Sequence, residues 1–146
     1  MSTLFRLALP ARFVEEMFAQ AQAELPNECC GLLAGTIGPD GVGRVVCRYP
    51  LKNAAASPVE YLSDPLDMFA AERDRRQRGI AFLAVYHSHP TSDPLPSKTD
   101  RERNYSTEVV NLIISLKDGT PTMRGWWLTA DGATEAVWEM VAEQPL

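Results

Sequence analysis

Apolar residues along this chain recur with two periods, and the switches between them mark its elements. TLFRLALP, residues 3–10, alternates as a strand does. Pro10 then opens ARFVEEMFAQAQAEL, where Phe13, Met17, Ala21 and Leu25 return at helical spacing, so an amphipathic helix is predicted up to Pro26. ECCGLLAGTIG reads as a short apolar strand, GPDGVG as a turn, and RVVCRYPL as the returning strand of a hairpin.

Residues 52–64, KNAAASPVEYLSD, keep neither period and are predicted to be irregular or extended. DPLDMFAAERDRRQRG starts on Asp-Pro and stops at Gly79, the punctuation of a helix, and its mixed-charge run reads as a solvated face. IAFLAVYHSH is a continuous apolar run of strand length, of the kind found in sheets covered on both faces. A short polar helix, SKTDRERN, and a buried strand, EVVNLIISLKDG, follow. TMRGWWLTADGATEAVWEMV reads as two strands joined at Asp131-Gly132, with one tryptophan of the Trp126-Trp127 pair in the core and the other partly exposed. The last residues, AEQPL, read as a frayed tail. The sum is an α/β domain, a mixed central sheet with helices packed against it.

Composition narrows the function. With 146 residues, 45% of them apolar, the chain has the size of one domain, 1–146, around one substantial core. A net charge of -5 gives no basic surface for nucleic acid. No apolar run approaches membrane-spanning length, and MSTLFRLALPARF makes no signal peptide. Cys29, Cys30 and Cys47 are an odd set, two of them adjacent, which argues against a disulfide framework and fits a reducing, cytoplasmic compartment.

The candidate chemistry lies in HSHPTSDPLPSKTD, residues 87–100. On a strand, side chains at i and i+2 share a face, so His87 and His89, the only histidines, would present both imidazoles in one direction. They end the most apolar strand at its junction with a loop, where sites on α/β folds tend to lie. Imidazole is a preferred zinc ligand, a catalytic zinc site takes three protein ligands, and Asp100 is the candidate third. Two bland alternatives stand beside this. A solvent-exposed His-x-His pair needs no metal, and Ser97 and Asp100 have the spacing of a helix-capping box.

His87-Ser88-His89-Pro90, six further residues to Pro96, then Ser97-Lys98-Thr99-Asp100 resembles the H-x-H-x7-S-x-x-D signature of the JAMM (MPN+) metalloprotease family. PNECCGLLAG likewise resembles the upstream segment carrying that family's glutamate, here Glu28. The likeness covers essentially the whole chain and is closest to the short prokaryotic members. It implies the MPN fold, related to the cytidine deaminase architecture, although the deaminase pattern itself is absent. It further implies one zinc held by His87, His89 and Asp100 with a fourth position for water, Glu28 as general base and then acid, and Ser97 as a donor to the oxyanion. The implied substrate is a ubiquitin-like or sulfur-carrier protein cleaved after its Gly-Gly tail, and the irregular 52–64 segment is a candidate edge for pairing with that extended tail. A catalytically silent MPN scaffold and a zinc hydrolase of small amides are the rival functions. By strand alternation, Cys30 would share the face of Glu28 and lie near the metal, a place for oxidant sensitivity, although a small buried hydrophobe is the simpler role.

Overall fold

A computed structural model describes residues 4–142. The first residue of the predicted opening strand, Thr3, and the predicted frayed tail after Ala142 lie outside them. The elements run β1 (Arg6–Pro10), α1 (Ala11–Ala23), β2 (Cys30–Ile37), β3 (Val42–Leu51), α2 (Pro65–Arg78), β4 (Ala81–His89), α3 (Lys98–Glu102), β5 (Val110–Ser115), β6 (Thr122–Thr129), β7 (Gly132–Ala136) and β8 (Trp138–Val141).

The eight strands form one mixed sheet in the order β7-β6-β5-β4-β2-β3-β1-β8. The predicted β2–β3 hairpin is antiparallel, and β4 runs antiparallel to β2 and parallel to β5. The final stretch departs from expectation. It makes three strands instead of two, because only Val137 separates β7 from β8, yet β8 leaves β6 and pairs parallel to β1 at the opposite end of the sheet. The sheet must therefore curl until its two ends approach. Phe5 beside β1 meets Trp127 of β6 edge to face with centroids 5.1 Å apart, one contact across that closure.

Both faces of the sheet are covered, as the unbroken apolar run of β4 requires. Phe13, Val14, Met17 and Ala21 of α1 join Leu33, Tyr86, Leu112, Ile114 and Trp127 in the larger core. Leu25, expected on the buried face, lies beyond the helix end and is half exposed, while Val14 is buried. On the other face Ala71 of α2 packs with Cys30, Leu32, Leu51 and Val85, and Met68, Tyr61 and Phe82 close over them. α2 carries the predicted termini: Asp64 accepts the Asp67 amide, Pro65 follows, and Gly79 stops the helix in the left-handed region at φ 67°. Gly31 serves a different need, since a Cβ there would lie 2.2 Å from the Tyr86 ring that crosses it.

Candidate metal centre

β4 delivers the histidines. Val85, His87 and His89 alternate onto the α2 face, while Tyr86 and Ser88 turn toward α1. β4 then gives way to a loop over residues 90–97 whose three successive carbonyls are each held by a side chain. Ser115 Oγ donates to Ser92 O at 2.7 Å, His89 Nδ1 to Asp93 O at 2.8 Å and Trp126 Nε1 to Pro94 O at 3.0 Å. Trp126 and Trp127 do occupy opposite faces, but both are buried, because the clamped loop covers Trp126. The loop delivers α3 with a complete capping box: Ser97 Oγ accepts from Asp100 N at 3.0 Å and Ser97 N donates to Asp100 Oδ2 at 2.9 Å. Capping and a site role are thus compatible, since capping is what turns the Asp100 carboxylate back toward the strand end.

The three expected ligands converge. His87 Nε2 lies 3.2 Å from His89 Nε2, Asp100 Oδ1 lies 3.1 Å from His87 Nε2, and Asp100 Oδ2 lies 3.2 Å from His89 Nε2. Ligand atoms about 2.0–2.1 Å from a tetrahedral ion stand about 3.3 Å from one another, and the Nε2–Nε2 separation and each imidazole's distance to its own carboxylate oxygen, Oδ1 for His87 and Oδ2 for His89, fall at that spacing. The protonation pattern agrees. The bond from Nδ1–H to Asp93 O leaves Nε2 of a neutral His89 as a lone pair aimed at its neighbours.

Charge follows burial and these contacts. Burial pushes the fully buried His87 toward its neutral form. Burial opposes the charged form of His89 as well, but the Asp100 carboxylate and the Asp93 carbonyl outweigh it and raise its pKa. Asp100 loses solvation too, and its hydrogen bonds to both histidines nevertheless hold it far below the usual carboxylate range.

Glu28 sits two residues before the first pairing of β2, Cys30 opposite His87, and is 3% exposed. Its Oε1 has no hydrogen-bond partner among the described residues. Burial, with Asp100 and Glu60 adding to it against His89, lifts its pKa to about 8. A buried carboxyl with a free oxygen and a pKa in that range is equipped to exchange protons near neutral pH.

Four neighbours have roles at the site that the sequence does not show. Tyr61 stacks on His87 with centroids 4.8 Å and planes 26° apart. Ser88 Oγ accepts from Cys29 N at 2.8 Å, and Asn53 Nδ2 donates to Glu28 O at 3.0 Å. Trp126 holds the loop. Tyr61 and Asn53 belong to the aperiodic 52–64 segment, which folds back on itself through an Asn53–Ser63 bridge. Beside Asp100 a cavity of about 280 Å³ opens, walled by Leu32, Tyr61, Met68 and Val85, with Arg103, just past the end of α3, and Glu60 ion-paired at 3.4 Å. Cys30 lies in register with His87, but burial pushes its thiol up to about 12, which disfavours the reactive thiolate.

A curled mixed sheet whose central strand ends in two histidines, joined by an aspartate from the next helix and a buried glutamate just before the neighbouring strand, is the arrangement of a JAB-type (JAMM, MPN) domain. The chain belongs to the prokaryotic homologs of the JAB domain, whose family model matches residues 10–129. Over 130 residues it is 38% identical to a desampylase of Haloferax volcanii, covering 85% of this chain and 90% of that one. Over 116 residues it is 30% identical to the CysO-cysteine peptidase of Mycobacterium tuberculosis, covering 80% and 77%. The solution structure of a Desulfitobacterium hafniense protein superposes with a TM-score of 0.83 at 34% identity, covering 94% of each chain.

Proposed function

We propose that this chain is a zinc-dependent peptidase or isopeptidase that hydrolyses the bond following the Gly-Gly tail of a ubiquitin-like protein of the sulfur-carrier type. The observation that carries this reading is the convergence of His87 Nε2, His89 Nε2 and the Asp100 carboxylate, each imidazole 3.1–3.2 Å from one carboxylate oxygen, beside a buried glutamate with a free oxygen. The relatives supply the substrate class by their names: desampylase, CysO-cysteine peptidase and, in Thermus thermophilus, a probable TtuB-protein conjugate cleaving protease. The family is generally zinc-dependent, and the donor set of two imidazoles and one carboxylate suits one zinc per chain better than magnesium or calcium, which prefer more oxygen ligands.

His87, His89 and Asp100 would hold the ion, and zinc so bound would acidify a water and polarise the scissile carbonyl. Glu28 accepts the proton of the attacking water and returns it to the leaving amine. Ser97 spends one oxygen lone pair on the Asp100 amide, which leaves its O–H proton to donate to the developing oxyanion. Free Cys29, Cys30 and Cys47 and the absence, among the described residues, of any helix able to cross a membrane agree with work in the cytoplasm.

The test pairs metal content with cleavage of a ubiquitin-like protein fused through its Gly-Gly tail. Near-stoichiometric zinc and cleavage are expected, both lost in Asp100→Ala. Glu28→Gln should keep the zinc and lose the cleavage. A protein that takes up no zinc when it is supplied would overturn the reading.

A further inference from the structure

We infer that Asn53 is a positioning residue for Glu28: its side-chain amide holds the general base in place from a loop remote in sequence. This rests on the role proposed above for Glu28. The sheet itself does not hold that residue. The ladders of β2 begin at Cys30, opposite His87 on one side and Leu51 on the other, so Glu28 lies just outside the register that orders the histidines. Both of its backbone groups find their partners in the 52–64 segment instead. Glu28 N donates to Ser57 O at 2.9 Å, and Glu28 O accepts from Asn53 Nδ2 at 3.0 Å.

Asn53 is built for this task. It is buried, and its side chain makes four hydrogen bonds. Nδ2 donates to Glu28 O and to Glu60 O, at 3.0 and 3.1 Å, while Oδ1 accepts the amides of Ala55 and Leu62, both at 3.0 Å. Both amide protons and both carbonyl lone pairs are used, the full capacity of an asparagine. The two halves do different work. The oxygen shapes the loop, tying residue 55 to residue 62 and so setting the turn that carries Tyr61 onto His87 and Glu60 toward Arg103. The nitrogen ties the finished loop to the glutamate through one N–H and braces the loop at Glu60 O through the other. Without it, the base would hang from one backbone bond and its neighbour Cys29, whose amide is held by Ser88 Oγ.

The division suggests a substitution that separates the halves. Asn53→Asp keeps the size and the two acceptor contacts to Ala55 and Leu62, and replaces the donor to Glu28 O and Glu60 O with an oxygen that those carbonyls repel. Hydrogen exchange on the zinc-loaded protein should then leave the amides of Ala55 and Leu62 protected, while the Glu28 amide exchanges at least tenfold faster. In cleavage of the Gly-Gly fusion, kcat should fall on the order of 10²-fold with KM and zinc stoichiometry unchanged, the size of effect that misplacement of a reacting group produces. The loss should vanish in a Glu28→Gln background, because a residue acting through Glu28 has nothing left to position. Asn53→Ala, which removes both halves, should loosen Ala55 and Leu62 too and lower the melting temperature.

Wild-type kcat in Asn53→Asp would overturn the inference, as would a fold loss of the same size when Asn53→Asp is added to Glu28→Gln. So would an unchanged Glu28 amide, a readout that needs no turnover. If the wild-type protein binds zinc but cleaves no Gly-Gly fusion, the proposed function fails by itself, and hydrogen exchange alone then decides whether Asn53 holds Glu28.

Discussion

Tyr61 lies stacked on His87, ring centroids 4.8 Å apart and planes 26° apart, and fixes the plane of an imidazole whose Nε2 meets Asp100 Oδ1 at 3.1 Å. A metal-binding histidine ordinarily donates its second ring N–H to a neighbour that fixes its direction. His89 follows that rule through Asp93 O, but Nδ1 of His87 is buried with no hydrogen-bond partner among the described residues. The flat face of Tyr61 substitutes for the missing bond. Tyr61→Ala should therefore weaken zinc binding by about 10- to 100-fold, the range for loss of an outer contact, while Tyr61→Phe, which keeps the ring, stays within a few fold of wild type. Competition with a chelator of known affinity measures both, and equal affinity in Tyr61→Ala would show the stacking to be incidental.

Glu28 gives the metal-free protein a pH signature. Its pKa is raised from 4.5 to about 8, chiefly by burial, with His89, Asp100 and Glu60 as the charged neighbours. The native state therefore binds this proton more tightly than the unfolded chain does. The sign follows: the stability associated with the protonated carboxyl is complete below about pH 4.5 and is lost as pH rises toward 8. Glu28→Gln, neutral throughout, lacks this loss. Thermal unfolding in the presence of a chelator should show the advantage of Glu28→Gln over wild type growing between pH 5 and 8 and then levelling. Zinc, by placing positive charge near the carboxylate, should shrink that difference. Parallel curves for the two proteins would mean that Glu28 titrates normally.

The elements that read clearly in the sequence are those whose causes are local. Asp64-Pro65 and Gly79 bracket α2 because capping and left-handed geometry are properties of single residues. The His87–His89 pair is legible because strand alternation alone puts both rings on one face, and the Ser97–Asp100 spacing because a capping box spans four residues. What depends on distant partners stays hidden. Nothing between Ala136 and Trp138 signals a break, since the switch of β8 to β1 is a choice between sheet ends. Alternation predicts a partly exposed ring in the Trp126–Trp127 pair, and it misses the burial of Trp126 because the cover is a loop 32 residues earlier in the chain. Asn53 and Tyr61 carry no periodic pattern, and their meaning comes from Glu28 and His87, each at least 25 residues away.

The clamp on the 90–97 loop also bears on metal affinity. Trp126 reaches no expected ligand, yet its indole N–H holds Pro94 O, next to the carbonyl of Asp93 that fixes the His89 tautomer. Trp126→Phe keeps most of the apolar ring beneath the Arg124 guanidinium, 4.7 Å above the indole, and removes only the donor. The lost bond should cost about 1 kcal/mol of stability, seen as a melting temperature a few degrees lower. Because the loop also orients His89, zinc affinity should fall on the order of 10-fold. A lower melting temperature with unchanged affinity would confine Trp126 to a packing role.

Ser97 is where capping and catalysis can be told apart by experiment. Its oxygen accepts the Asp100 amide at 3.0 Å, so Ser97→Ala removes a helix cap and should cost about 1 kcal/mol of stability. If the hydroxyl proton also stabilises the oxyanion, the same substitution should lower kcat by about 10²-fold or more with little change in KM, because that hydrogen bond is made as charge develops rather than to the bound substrate. Ser97→Thr retains acceptor and donor and should recover most of both quantities. The decisive comparison is kcat against melting temperature across the three proteins, with zinc content held equal. A Ser97→Ala protein that melts lower yet turns over at the wild-type rate would leave the hydroxyl as a cap and remove it from the chemistry.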